Sequence, residues 1–143
     1  MKKSYMKLLR TVFCLALLFV GVPSFAQDRP EDEAKEEKDL ATYIDTQVER
    51  LENQLELEYW QVFLIDSVLT HDYNALQQEF KRFRKEKIGN SDEYYKAQDK
   101  WNDAMYYGIM KVLNDEQKAK FDKSAMGKAK KQRDKKKAKS AGL

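Results

Sequence analysis

His71 is the sole histidine of the 143-residue chain, and Cys14 is its sole cysteine. Imidazole and thiol are the groups best suited to proton transfer and nucleophilic attack near neutral pH, so one copy of each leaves little room for catalysis. His71 is followed directly by Asp72. Neighbours on a helix point in different directions, so this spacing does not build a carboxylate-oriented base. The pairs Glu33/Glu37 and Glu49/Glu52 have helical spacing and read as solvated faces. One imidazole with scattered carboxylates is a poor metal set beside the plainer reading of a surface histidine. The chain has no phosphate-cradling glycine loop, nucleophile–base pair or histidine cluster. The expectation is a protein that is not an enzyme and uses no cofactor, metal or small-molecule substrate.

Cys14 lies in a segment with the pattern of a secretory leader. Lys2, Lys3, Lys7 and Arg10 form a basic start, and Thr11 to Val22 is an apolar run too short to span a membrane. Pro23 breaks this run, and Ser24-Phe25-Ala26 supplies small residues at the −3 and −1 positions of a cleavage site. Residues 1–26 are therefore expected to be a signal peptide cleaved after Ala26, which implies a periplasmic protein. Cys14 lacks the small-residue context of a lipid-modified cysteine, so the mature chain would carry no thiol. Without the four basic residues of the leader, 23 basic residues face 24 acidic ones. That near-neutral balance is polarised. Residues 27–79 hold 4 basic and 15 acidic residues, whereas residues 80–143 hold 19 basic and 9 acidic ones.

The elements that must position any site read as helices throughout. Charged residues make up 36% of the chain, and Gly and Pro are few. Residues 27–38 are too polar to bury and are expected to be a flexible acidic lead-in, with Pro30 and the acids after it suited to a helix start. A stripe of Leu40, Ile44, Val48, Leu51 and Leu55 follows at helical spacing. It runs on in phase through Val62, Ile65, Leu69, Leu76, Phe80 and Phe83, with Tyr73 at its edge. A continuous helix over residues 31–88 would be about 87 Å long, so a kink or break is expected near Leu57–Glu58. A second stripe of Leu57, Trp60, Leu64 and Val68 widens the apolar arc to roughly 200° over residues 57–69, about twice what one core-facing stripe needs. The surplus suits a partner subunit or a bound ligand, or else a helix packed centrally among others.

Gly89 is the expected C′ residue of this second helix, and Asn90 with Glu93 the capping box of a third. The third helix carries Tyr94, Gln98, Trp101, Met105, Ile109 and Val112 on one side, widened by Tyr95, Tyr106 and Leu113. The short connection implies an antiparallel hairpin of helices two and three. Asn114 and Gln117 form a second capping box. A last helix, KAKFDKSAMGKAKKQ, then has Phe121, Ala125 and Met126 as its anchors. Residues 39–122 are read as the folded domain. Residues 123–143 are a basic tail, either a solvated helix end or disordered.

Leu57-Glu58-Tyr59-Trp60-Gln61 and Leu113-Asn114-Asp115-Glu116-Gln117 each resemble the L-T-x-x-Q motif of the periplasmic Spy/CpxP-like family. The second is the better match, because Asn replaces Thr and caps equally well. In the first, Glu58 stands in place of Thr and is a poorer N-cap. The order of elements matches from about Leu40 to Lys123. The resemblance implies an all-α fold: a long helical hairpin with an N-terminal and a short C-terminal helix, assembled as a curved homodimer. It also implies ATP-independent binding of unfolded proteins. Some relatives dampen an envelope-stress sensor or bind metal instead. In this reading Leu57, Glu58, Gln61, Leu113, Asn114 and Gln117 are structural, so no catalytic role transfers.

The surplus arc names a client or dimer surface of Trp60, Phe63, Leu64 and Trp101, with Lys81, Arg82, Arg84 and Lys85 adjoining in sequence. The alternative is an envelope interaction, adaptor or stress-sensor regulatory protein whose basic tail meets anionic envelope surfaces. Nucleic acid is not an expected partner of an exported protein.

Overall fold

A computed structural model describes residues 30–142 of the chain. The expected signal peptide, its cleavage site and Cys14 lie outside the described residues. The chain divides into two units at Lys35/Glu36. Of the first, residues 31–35 are helical and exposed. The second unit contains the rest.

The described residues form five α-helices and no strand: α1 (Pro30–Leu55), α2 (Tyr59–Lys85), α3 (Ser91–Val112), α4 (Asp115–Phe121) and α5 (Ala125–Ser140). The expected break between the first two helices is present, and its cause is a backbone reversal at Glu56. Glu56 takes the left-handed conformation (φ 53°), and the Leu57 N–H reaches back to the Glu52 carbonyl at 3.2 Å. This is a Schellman ending built without glycine.

α2 ends in the same way, which corrects the expectation for Gly89. Lys87 is the left-handed residue (φ 54°), with Lys87 N–H bonded to Arg84 O at 3.1 Å and Ile88 N–H to Phe83 O at 2.9 Å. Ile88 then packs on Phe83, the hydrophobic contact that accompanies this motif. Asn90 caps α3 by accepting from the Asp92 N–H at 3.0 Å. Glu93 does not close the expected box; its carboxylate pairs with Lys96 at 2.8 Å.

The main core lies where α1, α2, α3 and α4 meet. It contains Ile44, Val48, Leu51 and Leu55 from α1, Ile65 and Leu69 from α2, Met105, Tyr106 and Ile109 from α3, then Leu113 and Phe121. Burial of each large side chain here contributes about 1.5–3 kcal/mol. A smaller cluster of Leu76, Phe83 and Ala97, with Phe80, Tyr94 and Ile88 against it, closes the far end of the α2–α3 hairpin. The two helices come close at Gly108, where a Cβ would stand 2.7 Å from Val68 Cγ1. On α3, Gln98 and Tyr95 are exposed, so its buried side is narrower than the expected stripe.

Three expectations for the chain ends are corrected. Residues 31–38 were expected as a flexible lead-in but continue α1 as regular, exposed helix. The single last helix is two. The chain turns at Asp122–Ser124, and Ser124 Oγ caps α5 by accepting from the Gly127 N–H at 3.3 Å. A Cβ on Gly127 would come within 2.5 Å of the Asp122 backbone, so the turn requires glycine there. Finally, the basic tail is docked. Asp103 of α3 accepts from Arg133 Nε at 3.0 Å and from Lys137 Nζ at 2.7 Å. Lys130 is buried between Tyr106 and Tyr107 and pairs with Asp134. The boundary expected at residues 122/123 therefore runs through a packed region.

Burial alone would oppose ionisation of Asp103, but the Lys137 and Arg133 hydrogen bonds outweigh it and hold its carboxyl below the usual range. A depressed carboxyl stabilises fully above its unfolded pKa of about 3.9 and loses that contribution as pH falls through the lowered value. Amides of residues 130–140 should therefore stay protected from hydrogen exchange at pH 5 and lose protection selectively as the pH drops below about 4. Asp103→Asn should release them at pH 7 while leaving those of Ile65 and Ile109 protected. Equal protection of α5 in both proteins would show that the carboxylate does not hold it.

Candidate functional site

Both L-x-x-x-Q segments sit at one end of the hairpin, and their glutamines meet. Each is at the third position of its helix, where an acceptor normally returns to the N-cap backbone. Gln61 Oε1 accepts from the Glu58 N–H at 3.0 Å, and Gln117 Oε1 accepts from the Asn114 N–H at 3.1 Å. The two amides also bond each other. Gln61 Nε2 donates to Gln117 Oε1 at 2.7 Å, and Gln117 Nε2 donates to Gln61 Oε1 at 3.0 Å.

The remaining donor of each amide crosses to a helix that ends nearby. Gln61 Nε2 donates to Val112 O at 3.0 Å, at the C-terminus of α3, and Gln117 Nε2 donates to Leu55 O at 3.3 Å, at the C-terminus of α1. These carbonyls have no intrahelical partner of their own. Both glutamines are buried, and every donor and acceptor of the pair is used. Glutamate could supply the capping acceptor, but it has no N–H to donate when ionised. The amide is therefore the group that fits. Leu113 is buried in the adjoining core and Leu57 packs against it, so the leucine of each motif anchors the same end. Glu58 is the poorer cap, as expected: its carboxylate accepts from Trp60 Nε1 at 2.6 Å, whereas Asn114 Oδ1 accepts from the Gln117 N–H at 2.9 Å. Capping was legible from the spacing. The contact between glutamines 56 residues apart carried no local signal.

The surplus apolar arc is divided by the fold. Tyr59, Trp60, Phe63 and Leu64 form one exposed patch at the start of α2, with Tyr59 89% and Phe63 64% exposed. Trp101 does not belong to it. It is half-buried higher on the hairpin, where its Nε1 donates to Glu79 at 2.7 Å and Lys100 lies 4.6 Å above its ring. The Trp101 hydrogen bond is the main influence holding the Glu79 carboxyl below its usual range. Nor do Lys81, Arg82, Arg84 and Lys85 adjoin the patch. Lys81 is 17 residues beyond Leu64, about 26 Å along a helix. Val62, Ile65 and Leu69 face the core, so the part of the arc left for a partner is narrower than residues 57–69.

Several open grooves flank α1, and two of them are large. One, of about 410 Å³, lies over Tyr43, Tyr73, Tyr106 and Arg133. Burial, then a hydrogen bond to Tyr43, raises the Tyr73 hydroxyl pKa. Burial, then donation to Asp122, raises that of Tyr106 to about 12. Both phenols are neutral at physiological pH. The other groove, of about 470 Å³, runs between α1 and α2, with Val48 and Val62 in its floor and Tyr59 and Phe63 on its wall. Its charged lining is Asp45, Glu49, Glu52 and Asp66.

His71 is exposed, and its Nδ1 lies 2.8 Å from Asp72 Oδ1. Adjacency therefore did not keep the pair apart, because the exposed imidazole folds back over the buried carboxylate. Among the described residues, no group of three or more His, Cys, Asp or Glu side chains is placed to hold a metal ion. Comparison of the chain with protein-family models, with curated proteins and with solved structures returned no match.

Truncating one glutamine strands its partner's amide and a helix-end carbonyl, each worth about 1–3 kcal/mol when buried without a partner. Gln61→Ala and Gln117→Ala should each lower unfolding free energy by about 2–4 kcal/mol in urea titration. The double variant should cost at least about 1 kcal/mol less than the sum. Strict additivity would mean that the two amides act independently.

Proposed function

We propose that this protein is an exported, ATP-independent chaperone that holds unfolded or stress-damaged envelope proteins. The observation that carries the reading is the exposed patch of Tyr59, Trp60, Phe63 and Leu64, four large apolar or aromatic side chains side by side on a hairpin with two cores elsewhere. Contiguous apolar surface of this kind marks interaction sites. The two L-x-x-x-Q segments at one end of a helical hairpin, behind a leader-like segment, add the resemblance to the Spy/CpxP-like family. Holding an unfolded chain on such a surface slows its aggregation by mass action and needs no fuel.

A second reading is an envelope adaptor or sensor regulator acting through α5. Docking uses Arg133, Lys137 and Lys130 but leaves Lys128, Lys131, Lys135, Lys136 and Lys139 exposed, without a carboxylate partner among the described residues. The chaperone reading is preferred because α5 offers charge with almost no apolar surface.

Light scattering of a chemically unfolded client, diluted with and without excess protein, tests the main reading. Scattering should fall without ATP, and Phe63→Ser with Leu64→Ser should weaken suppression while leaving helicity unchanged. If scattering of several unrelated clients is unchanged by the wild type, the adaptor reading replaces it.

We also propose that the chain pairs as a homodimer, as the Spy/CpxP-like resemblance implies, with the α1–α2 groove left open in each copy. Sedimentation should give a dimer at micromolar concentration. A folded wild-type monomer at high concentration would exclude this assembly.

A further inference from the structure

We infer that the groove between α1 and α2 selects cationic, apolar-rich segments of unfolded polypeptide; this rests on the chaperone reading and gives it a substrate class. The groove joins two kinds of recognition. Tyr59 and Phe63 supply exposed rings on one wall. Asp45, Glu49 and Glu52 of α1, with Asp66 of α2, supply four carboxylates around them. None of the four is ion-paired among the described residues. No Lys or Arg lines the groove. Other acids of α1, such as Glu36, Glu37 and Asp39, are also unpaired among the described residues, but they do not line this groove beside exposed rings, whereas Glu79 is matched by Lys100 and Asp103 by Arg133. The groove is therefore a local concentration of unmatched negative charge beside apolar surface.

A chain segment carrying Lys or Arg among apolar residues complements both features. Its cations meet the carboxylates over several ångströms without fixed geometry, and its apolar groups cover the rings. Such charges raise the encounter rate and disfavour acidic segments by like-charge repulsion. The α5 helix of a second copy is a poorer occupant. Its lysines match the charge, but its exposed face lacks apolar groups to cover Tyr59 and Phe63. The basic residues at the end of α2 lie too far away to neutralise the groove.

The test uses the full chain and a labelled unstructured peptide that alternates Lys with Phe and Leu, read by fluorescence anisotropy. Controls replace Lys with Ser or with Glu. The Lys peptide should bind about tenfold or more tightly than the Glu peptide at low salt, and raising salt should reduce this preference. The variant Asp45→Asn, Glu49→Gln, Glu52→Gln, Asp66→Asn keeps side-chain size and touches no core residue. It should bind the Lys peptide about tenfold more weakly and the Ser peptide unchanged. Single Glu49→Gln and Glu52→Gln proteins, each expected to show part of the loss, keep the test open if the fourfold variant loses helicity.

Equal binding of Lys and Glu peptides, or no loss in a folded variant, overturns the inference. So does a variant whose only change is failure to dimerise, because the groove's occupant would then be a second copy. Suppression of scattering regardless of client charge would leave the chaperone reading standing without this selectivity. Absence of suppression for every client would remove the chaperone reading itself.

Discussion

Two buried carboxamides hold together the ends of four helices. Each of Gln61 and Gln117 accepts at the start of its own helix, bonds the other amide and donates to the last turn of a helix that ends opposite. Helix termini are where backbone groups lack partners, and gathering four of them at one buried point would ordinarily be costly. Here the groups satisfy one another. No buried side-chain nitrogen or oxygen among the described residues is left without a partner. The arrangement is pseudo-symmetric because the same five-residue pattern occurs twice, each time after a helix end and before a helix start.

Much of this was legible from the residues. Regular 3–4 spacing from Leu40 to Leu113 specifies helices because one apolar face must be buried. Asn114 and Gln117 announce a start because a side-chain acceptor must serve exposed N–H groups. The break near Leu57 followed from length, yet no residue signals the reversal at Glu56. Glycine is the usual left-handed residue, and both Glu56 and Lys87 take that conformation without it. The packing around them holds them there at a cost of about 1–2 kcal/mol each. The turn at Asp122–Ser124 was missed for a related reason. Ser124 and Gly127 are adequate cap and turn residues, but in a lysine-rich run they look like ordinary helix surface. Docking of α5 depends on one acid, Asp103, 30 residues before Arg133, and local pattern says nothing of such pairs.

Charge polarisation in the sequence becomes spatial segregation in the fold. The acidic first half forms α1 and most of α2, so the groove between them is lined by like charges. The basic half forms the end of α2 and all of α3, α4 and α5, where Asp103 and Asp134 neutralise part of the excess on α5. Sequence proximity misled the assignment of Lys81, Arg82, Arg84 and Lys85 to the aromatic patch, because a helix converts 20 residues of separation into about 30 Å of distance.

The amide pair also accounts for why the aromatic patch is exposed. Gln61 must point inward to reach Gln117, which fixes the rotation of α2 about its axis. Residues in phase with it, Ile65, Leu69 and Asp72, are then buried. At about 100° per residue, Tyr59 and Phe63 fall roughly opposite Gln61, while Trp60 and Leu64 lie about 100° and 60° from it on the side away from Ile65 and Leu69. Turning the helix to bury Phe63 and Leu64 would recover about 1.5–3 kcal/mol for each. The same rotation would withdraw Gln61, leaving its own amide, the Gln117 amide, the Glu58 N–H and the Val112 carbonyl without partners, at about 1–3 kcal/mol each. It would also expose Ile65 and Leu69. The polar contact and the core together outweigh the gain, so the patch stays at the surface as a consequence of the element that keeps the fold together.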